Sequence, residues 1–269
     1  MSFPEPYYEH AGITIYLGDS RDLVPLVRGV DTVVTSPPYS QQRRYGADEP
    51  FDWDGVVPAV MAGVVGEPGC QMLINLGQVW RNGELCEYWH TMDAALRDHG
   101  WRKAAQYVWD KTCGIPGTYD GRLWNTHEWV FQWYQQRREA VRWWPTTNGG
   151  QQITESSFRV RTSSGDVNTK STTTKTGTPS SYHRAMGSVI EVSAVRSNIE
   201  RTGHPAQMPV KLATQLIRSW PGTVLDPFMG SGTTLVAAKR LGCKAIGIEQ
   251  SEEYCEMAVQ RLAQEVLPL

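Results

Sequence analysis

The stretch from Thr223 to Glu249 constrains the fold more than any other part of the chain. It runs Thr223-Val224-Leu225-Asp226-Pro227-Phe228-Met229-Gly230-Ser231-Gly232-Thr233-Thr234, continues through a helical pattern from Leu235 to Leu241 and Gly242, and ends in Ala245-Ile246-Gly247-Ile248-Glu249. A strand, a glycine turn, a helix stopped by glycine and a second strand closing on a carboxylate make a βαβ unit. Two strands joined through a helix lie parallel, so the chain is committed to a parallel sheet. The turn lacks the G-x-G-x-x-G spacing of a pyrophosphate cradle, because Gly230-x-Gly232 is followed by Thr233 and Thr234. It suits a nucleoside cofactor without phosphates, with Glu249 placed to accept both ribose hydroxyls.

A second stretch, Val33-Val34-Thr35-Ser36-Pro37-Pro38-Tyr39, reads as a strand ending in a stiff turn. Pro38 holds Pro37 out of the helical region, and the two rings leave nearby carbonyls without ladder partners. Acceptors beside an aromatic face suit a planar ring that bears an amino group. Ser36 Oγ and a proline carbonyl would accept its two N–H bonds while Tyr39 stacks on it. Taken alone, the same residues also read as a plain Pro-Pro turn.

Ser36-Pro37-Pro38-Tyr39 upstream of the Asp226-Pro227-Phe228-x-Gly230-Ser231-Gly232-Thr233-Thr234 turn closely resembles the S-adenosylmethionine-dependent amino-methyltransferases of DNA, in the permuted order of the β class. Other segments resemble that family in the same order. Tyr16-Leu17-Gly18-Asp19-Ser20 is similar to its y-x-G-D segment, Trp109-x-Lys111 to its W-x-K, Asn125-x-His127-Glu128 to its n-x-h-E, and Gly203-His204-Pro205-Ala206-Gln207-Met208-Pro209 to its H-P-A-x-x-P. The resemblance implies a Rossmann-like methyltransferase fold: an α/β, mostly parallel seven-stranded sheet with helices on both faces and an inserted target-recognition region. It makes Ser36, Pro37, Pro38 and Tyr39 catalytic. It assigns S-adenosylmethionine to Asp19, Ser20, Thr35, His204, Pro205, Asp226, Pro227, Phe228, Gly230, Ser231, Gly232, Thr233, Thr234 and Glu249, with no metal. Asp19 equally reads as a helix N-cap, and Glu128 as a structural residue. The family usually shows a lysine where Gln132-Trp133 stands here, which departs from its pattern.

Charge distribution bears on the partner. The chain carries −2 overall, yet Gln136 to Gly203 holds ten Lys/Arg against five acids, leaving −7 on the rest. A basic segment on an acidic body is what a phosphate-facing surface needs. Within it, Thr162 to Ser181 is so rich in Ser, Thr, Gly and Lys that a mobile loop is expected. The resemblance gives this region target recognition, with Arg159, Arg161, Lys170, Lys175 and Arg184 as DNA contacts, joined by Arg43 and Arg44 of a loop closing over a flipped base. The domain reading is a catalytic half at 1–142, a recognition insertion at 143–198 and a cofactor half at 199–269. The implied partner is double-stranded DNA, and the family admits a homodimer and a cognate restriction endonuclease. The five cysteines, odd in number and without C-x-x-C spacing, read as reduced core fillers. None follows a proline, so the Pro-Cys nucleophile of C5-cytosine enzymes is missing. No apolar run approaches the ~18 residues of a membrane span and no export signal is visible, so a cytoplasmic enzyme of prokaryotic or phage origin is expected.

Elsewhere the pattern alternates. Strands are expected at Ile13 to Leu17, Asp31 to Thr35, Gln71 to Gly77, Lys103 to Trp109 and Trp124 to Tyr134, and helices at Val56 to Val65, Leu85 to His99 and Val210 to Trp220. Gly69 is expected to turn the chain between the first of these helices and the strand after it. The serine at 36, a neutral acceptor, is typical in the family of enzymes acting on N4 of cytosine, whereas an aspartate there is usual for N6 of adenine. Cytosine is therefore the expected target, with adenine as the alternative within the family. A catalytically idle DNA-binding protein is the alternative of another class.

Overall fold

The computed structural model describes residues 3–39, 51–112, 121, 123–141, 144–145, 156–161, 167–172, 183–184, 186–194 and 208–264. The chain divides into two compact units, one of residues 1–140 and 187–269, the other of residues 141–186.

The larger unit is built on one sheet. Its strands are β1 (Tyr8–His10), β2 (Ile13–Leu17), β3 (Val30–Thr35), β4 (Gly66–Leu76), β5 (Arg102–Asp110), β6 (His127–Tyr134), β7 (Val189–Glu191), β8 (Val224–Asp226) and β9 (Ala245–Glu249). They lie in the order β1-β2-β9-β8-β3-β4-β6-β5-β7. The pairs β2–β9, β9–β8, β8–β3, β3–β4 and β5–β7 are parallel, and β1–β2, β4–β6 and β5–β6 antiparallel. Among the described residues the sheet thus has nine strands where seven are expected. The two extra strands are three-residue edges, β1 and β7, held by backbone pairing and too short for a period to show, although β7 carries Val189 and Ile190.

Central position explains composition. Val30, Thr32, Val33, Val34 and Thr35 of β3 are all fully buried, as befits a strand covered on both faces. Val33 joins an apolar cluster with α2 (Trp53–Ala62) and α3 (His90–Asp98) through Val57, Val60, Met61, Met92 and Leu96. Its neighbour Thr32 points the other way, donating its hydroxyl to the carbonyl of Trp220, which caps α4 (Val210–Ser219). Alternation along β3 therefore places helices on both faces.

Several elements depart from expectation. Residues 85–89 are not helical: Glu84–Cys86 pairs with Val79–Arg81 in a hairpin, and α3 starts at His90. Asn82 and Gly83, both at positive φ (52° and 82°), make its turn, the Asn-Gly signal of a tight hairpin. β4 starts at Gly66, and Gly69 (φ +85°) lies within it rather than forming a turn between elements. The register slips there, from Val30 opposite Gly66 to Thr32 opposite Gln71. α5 (Thr233–Arg240) begins two residues earlier than the apolar pattern, and α6 (Glu252–Gln264) closes the described chain. Of the cysteines, Cys70 and Cys255 are buried while Cys86 and Cys243 are only partly so; Cys113 lies outside the described residues.

In the smaller unit, Ser156–Arg161 pairs antiparallel with Val167–Thr172, and Trp144–Pro145 with His183–Arg184. The stretch expected as a mobile loop, Thr162 to Ser181, therefore contains a paired strand, and its other residues lie outside those described. Val167, Thr169 and Thr172 are β-branched and suit a strand. Ladder hydrogen bonds depend on a partner strand, which local composition does not report. The insertion is also shorter at its end, because β7 falls within 143–198 yet pairs with β5 of the sheet.

Among the described residues, no helix is long and apolar enough to cross a membrane.

Candidate active site

Strand register brings together residues that are remote in sequence. β3 runs parallel to β4 with Thr35 opposite Ile74, so the turn leaving β3 meets the next residue, Asn75. Ser36 Oγ donates to Asn75 Oδ1 at 3.2 Å. On the far side of β4, antiparallel β6 sets Val130 opposite Asn75, and β5 sets Trp109 opposite Glu128. Glu128 Oε2 accepts from the Tyr39 hydroxyl at 2.7 Å and from Asn75 Nδ2 at 3.2 Å. Lys111 Nζ donates to Glu128 Oε1 at 3.3 Å, and this pair is nearly buried, with side chains 8% and 14% exposed. Asn75 Nδ2 donates also to the Trp129 carbonyl at 3.0 Å.

The ring of Tyr39 is seated by an absence of side chain. A Cβ at Gly77 would stand 2.4 Å from Tyr39 Cε2, so only glycine lets the ring lie there. Tyr88 donates its hydroxyl to the Gly77 carbonyl at 3.0 Å. Burial, and then the charge of Glu128, push the Tyr39 hydroxyl well above its ordinary range. It therefore stays protonated and acts as a donor.

The glycine turn abuts this site. Leu225 of β8 lies opposite Val33 of β3, and the next residues meet through side chains. Thr35 Oγ1 donates to buried Asp226 Oδ1 at 2.7 Å, and the Phe228 N–H to the same oxygen at 3.1 Å. Burial raises the Asp226 carboxyl to about 6, against the opposing pull of its hydroxyl and backbone donors. The turn bends at Gly230 and Gly232, with φ of +50° and +80°. A Cβ on Gly232 would meet that of Ala258 in α6 at 2.7 Å. Glu249, at the end of β9, accepts the Gly230 N–H on Oε2 and the Gln250 and Ser251 N–H groups on Oε1, all at 3.0 Å. Burial raises its carboxyl, and those N–H groups oppose the rise.

The other expected cofactor residues have varied surroundings. Ser20 Oγ donates to the Pro227 carbonyl, tying the chain after β2 to the turn. Asp19 caps α1 (Ser20–Leu23) by accepting the Arg21 N–H at 2.8 Å, and pairs with the Arg21 guanidinium at 2.6 Å. That bonding holds its carboxyl below the usual range, so the N-cap reading of Asp19 is realised. Thr234 Oγ1 donates to the Val34 carbonyl at 3.2 Å. Arg261 of α6 donates to the Ser231 carbonyl at 2.6 Å and to the Ser231 and Thr233 hydroxyls at 3.2 Å.

Asn75 and Arg261 are the site residues that local sequence did not indicate. Asn75 lies inside an apolar strand with no motif around it, and Arg261 on a helix remote from the turn. Arg43, Arg44, Lys175, His204 and Pro205 lie outside the described residues. Arg159, Arg161, Lys170 and Arg184 lie on the paired strands of the smaller unit. Among the described residues no group of three or more His, Cys, Asp or Glu is placed to hold a metal ion.

The family model described as DNA methylase matches residues 30–260. The type II methyltransferase M.ScaI of Streptomyces caespitosus is 44% identical over 79 residues, 28% of this chain and 26% of that relative. The type II methyltransferase M.XycI of Xanthomonas campestris pv. cyanopsidis is 24% identical over 304 residues, 96% of this chain and 90% of that one. The chain thus spans about a quarter of the first relative and nearly all of the second. Among solved structures, the cytosine-N4-specific PvuII DNA methyltransferase is similar with a TM-score of 0.67 at 18% identity, covering 98% of this chain and 90% of that one. The complex of M1.HpyAVI with SAM is similar with a TM-score of 0.58 at 24% identity, covering 93% and 98%. These two structural likenesses speak to the fold.

Proposed function

We propose, for a chain that belongs to the N6/N4 family of DNA methylases, that it methylates the exocyclic N4 of a cytosine flipped out of double-stranded DNA, with S-adenosylmethionine as methyl donor. The observation that carries this reading is the bond between Thr35 and Asp226. It joins the acceptor turn after β3 to the glycine turn after β8, so an amino-binding site and a nucleoside site adjoin at the C-terminal ends of neighbouring parallel strands, where open α/β sheets bind ligands.

The residues present fit S-adenosylmethionine. Glu249 is an acceptor-only carboxylate; the three backbone N–H groups it accepts occupy Oε1 and half of Oε2, and the lone pair left on Oε2 suits a ribose hydroxyl. The glycine turn is short of the spacing a pyrophosphate needs. When bound, the cofactor would supply a sulfonium methyl: the N–CH3 bond forms as the S–CH3 bond breaks, the sulfur leaves as a neutral thioether, and the methylated amine gives one proton to water. The protein's share is positioning. An exocyclic amino group delocalises its lone pair into the ring and is a poor nucleophile. Ser36 Oγ and the Pro37 carbonyl accept its two N–H bonds and draw the nitrogen toward a tetrahedral shape, while Tyr39 stacks on the base. Extrusion of the base costs roughly a few kcal/mol, offset by that stacking and by contacts from the basic segment. The serine at 36, a neutral acceptor typical in the family of enzymes acting on N4 of cytosine, favours cytosine. A homodimer, a cognate endonuclease and a cytoplasmic setting accompany this reading and are not needed for its chemistry.

The test is mass spectrometry of nucleosides from unmethylated duplex DNA incubated with the protein and isotope-labelled S-adenosylmethionine. Labelled N4-methylcytosine is expected. Labelled N6-methyladenine would keep the mechanism and overturn the choice of base, and no labelled nucleoside would overturn the activity.

A further inference from the structure

The side chains behind the acceptor turn form a chain whose direction is decided at every link. Lys111 Nζ carries only donors and an ionised Glu128 only accepts, so their contact runs one way. One amide atom of Asn75 faces two acceptors, Glu128 Oε2 at 3.2 Å and the Trp129 carbonyl at 3.0 Å, so that atom is the NH2. The other is therefore the oxygen, and it faces Ser36 Oγ at 3.2 Å. That oxygen accepts only, and the Tyr39 hydroxyl, 3.4 Å from it and also bonded by Ser36, is committed as a donor to Glu128, so the Ser36 proton is directed into the network. The lone pairs of Ser36 Oγ are then directed away from the network.

This polarity matters because a serine hydroxyl is ambivalent. Turned outward as a donor, it would bond the lone pair of a substrate amino nitrogen, the pair that must attack. Turned inward, it accepts an N–H and leaves that pair free. We propose that Lys111, Glu128 and Asn75 are positioning residues that hold Ser36 as a hydrogen-bond acceptor toward the amino group of the target base. The inference rests on the reading that Ser36 meets that amino group. It supplies what a neutral residue at 36 lacks: a carboxylate there would accept without help, whereas a hydroxyl must be oriented. Tyr39 is held by the same carboxylate, its hydroxyl donating to Glu128 at 2.7 Å.

The decisive experiment is steady-state kinetics on duplex DNA with three variants, each first matched to wild type in thermal unfolding and in affinity for S-adenosylmethionine. In Glu128→Gln the ammonium of Lys111 draws the new amide oxygen toward itself. The new NH2 then faces the Asn75 NH2, which drives that amide to turn over against its bond to the Trp129 carbonyl and present its own NH2 to Ser36. We expect kcat to fall about tenfold or more with the KM for S-adenosylmethionine unchanged. Adding Lys111→Met removes the ammonium that imposes this orientation, so the double variant should recover part of the lost kcat. In Asn75→Asp, the new carboxyl lies beside Glu128 and its pKa is raised by that neighbour. Protonated, it donates to Glu128 as the amide did; ionised, it repels. In both states it offers Ser36 an accepting oxygen, so below that pKa its kcat should exceed that of Glu128→Gln. Should Asn75→Asp not fold, the Glu128 and Lys111 pair decides. A double variant no more active than Glu128→Gln, or a folded Asn75→Asp no more active than Glu128→Gln below that pKa, overturns the inference while leaving the methyltransferase reading intact. A wild type that labels no nucleoside overturns both.

Discussion

The acceptor turn and the glycine turn sit side by side at the ends of β3 and β8, yet they are held in different ways. The glycine turn is held mostly through its own backbone, by N–H groups on Glu249 and Asp226 and two residues at positive φ, while the side chains of Thr35, Ser20 and Arg261 tie it to other elements. The acceptor turn is held by side chains from three other segments, Asn75, Glu128 and Lys111. A backbone-held turn depends on conformation, and a side-chain-held turn on donor and acceptor identity. Damage to the first should appear in stability and cofactor binding. Damage to the second should appear in turnover.

The largest effect should break the glycine turn outright. Gly232→Val places a branched side chain at φ +80° and drives its Cβ into Ala258, which should cost about 3–5 kcal/mol in urea unfolding, from backbone strain and overpacking together. A loss under 1 kcal/mol would show that the turn tolerates another backbone path.

Next is the pH dependence of the bond that joins the two turns. An unfolded aspartate titrates near pH 4, and Asp226 in the fold at about 6. Because the folded pKa is the higher, the native state holds its proton longer. Stability therefore falls as pH rises through this window, and the penalty is fully present above it. Asp226→Asn stays neutral and should gain on wild type by about 3 kcal/mol between pH 4 and 6.5. A constant difference across that range would mean that Asp226 titrates normally.

Ser36→Ala tests the other side of the comparison. It should lower kcat about 100-fold while leaving the melting temperature and S-adenosylmethionine affinity near wild type. A parallel loss of cofactor affinity would show that the two turns do not divide their roles. Glu249→Ala should do the reverse, weakening S-adenosylmethionine by about 10- to 100-fold in calorimetry, from lost charge-assisted bonds. Unchanged affinity would remove Glu249 from the site. The smallest effect belongs to Arg21→Ala, which removes the partner of Asp19 at the surface. Its side chain is half exposed, and the melting temperature should stay near that of wild type; a clear fall would mean that Asp19 depends on Arg21 to stay in place.

The parts legible along the chain are those that depend on near neighbours. The β8-turn-α5-β9 unit is legible because a glycine turn, a helical apolar period and a terminal carboxylate all lie within one stretch, Thr223 to Glu249. β2 and β9 begin and end where their apolar runs do, and Ser36-Pro37-Pro38-Tyr39 announces an acceptor turn through the stiffness of two prolines. The Asn82-Gly83 hairpin was equally local, and a helical reading of the residues after it concealed it. Tertiary structure alone decided which groups meet. Asn75 is one polar residue in an apolar strand until parallel register with β3 sets it against Ser36. Glu128 becomes part of the site only because antiparallel register carries it behind Tyr39. The edge strands β1 and β7 and the Val167–Thr172 hairpin arm likewise exist through pairing. Periodicity and turn chemistry act over a few residues, whereas register is set by strands that the chain brings together across 40 to 90 residues. Local composition carries no record of those pairings.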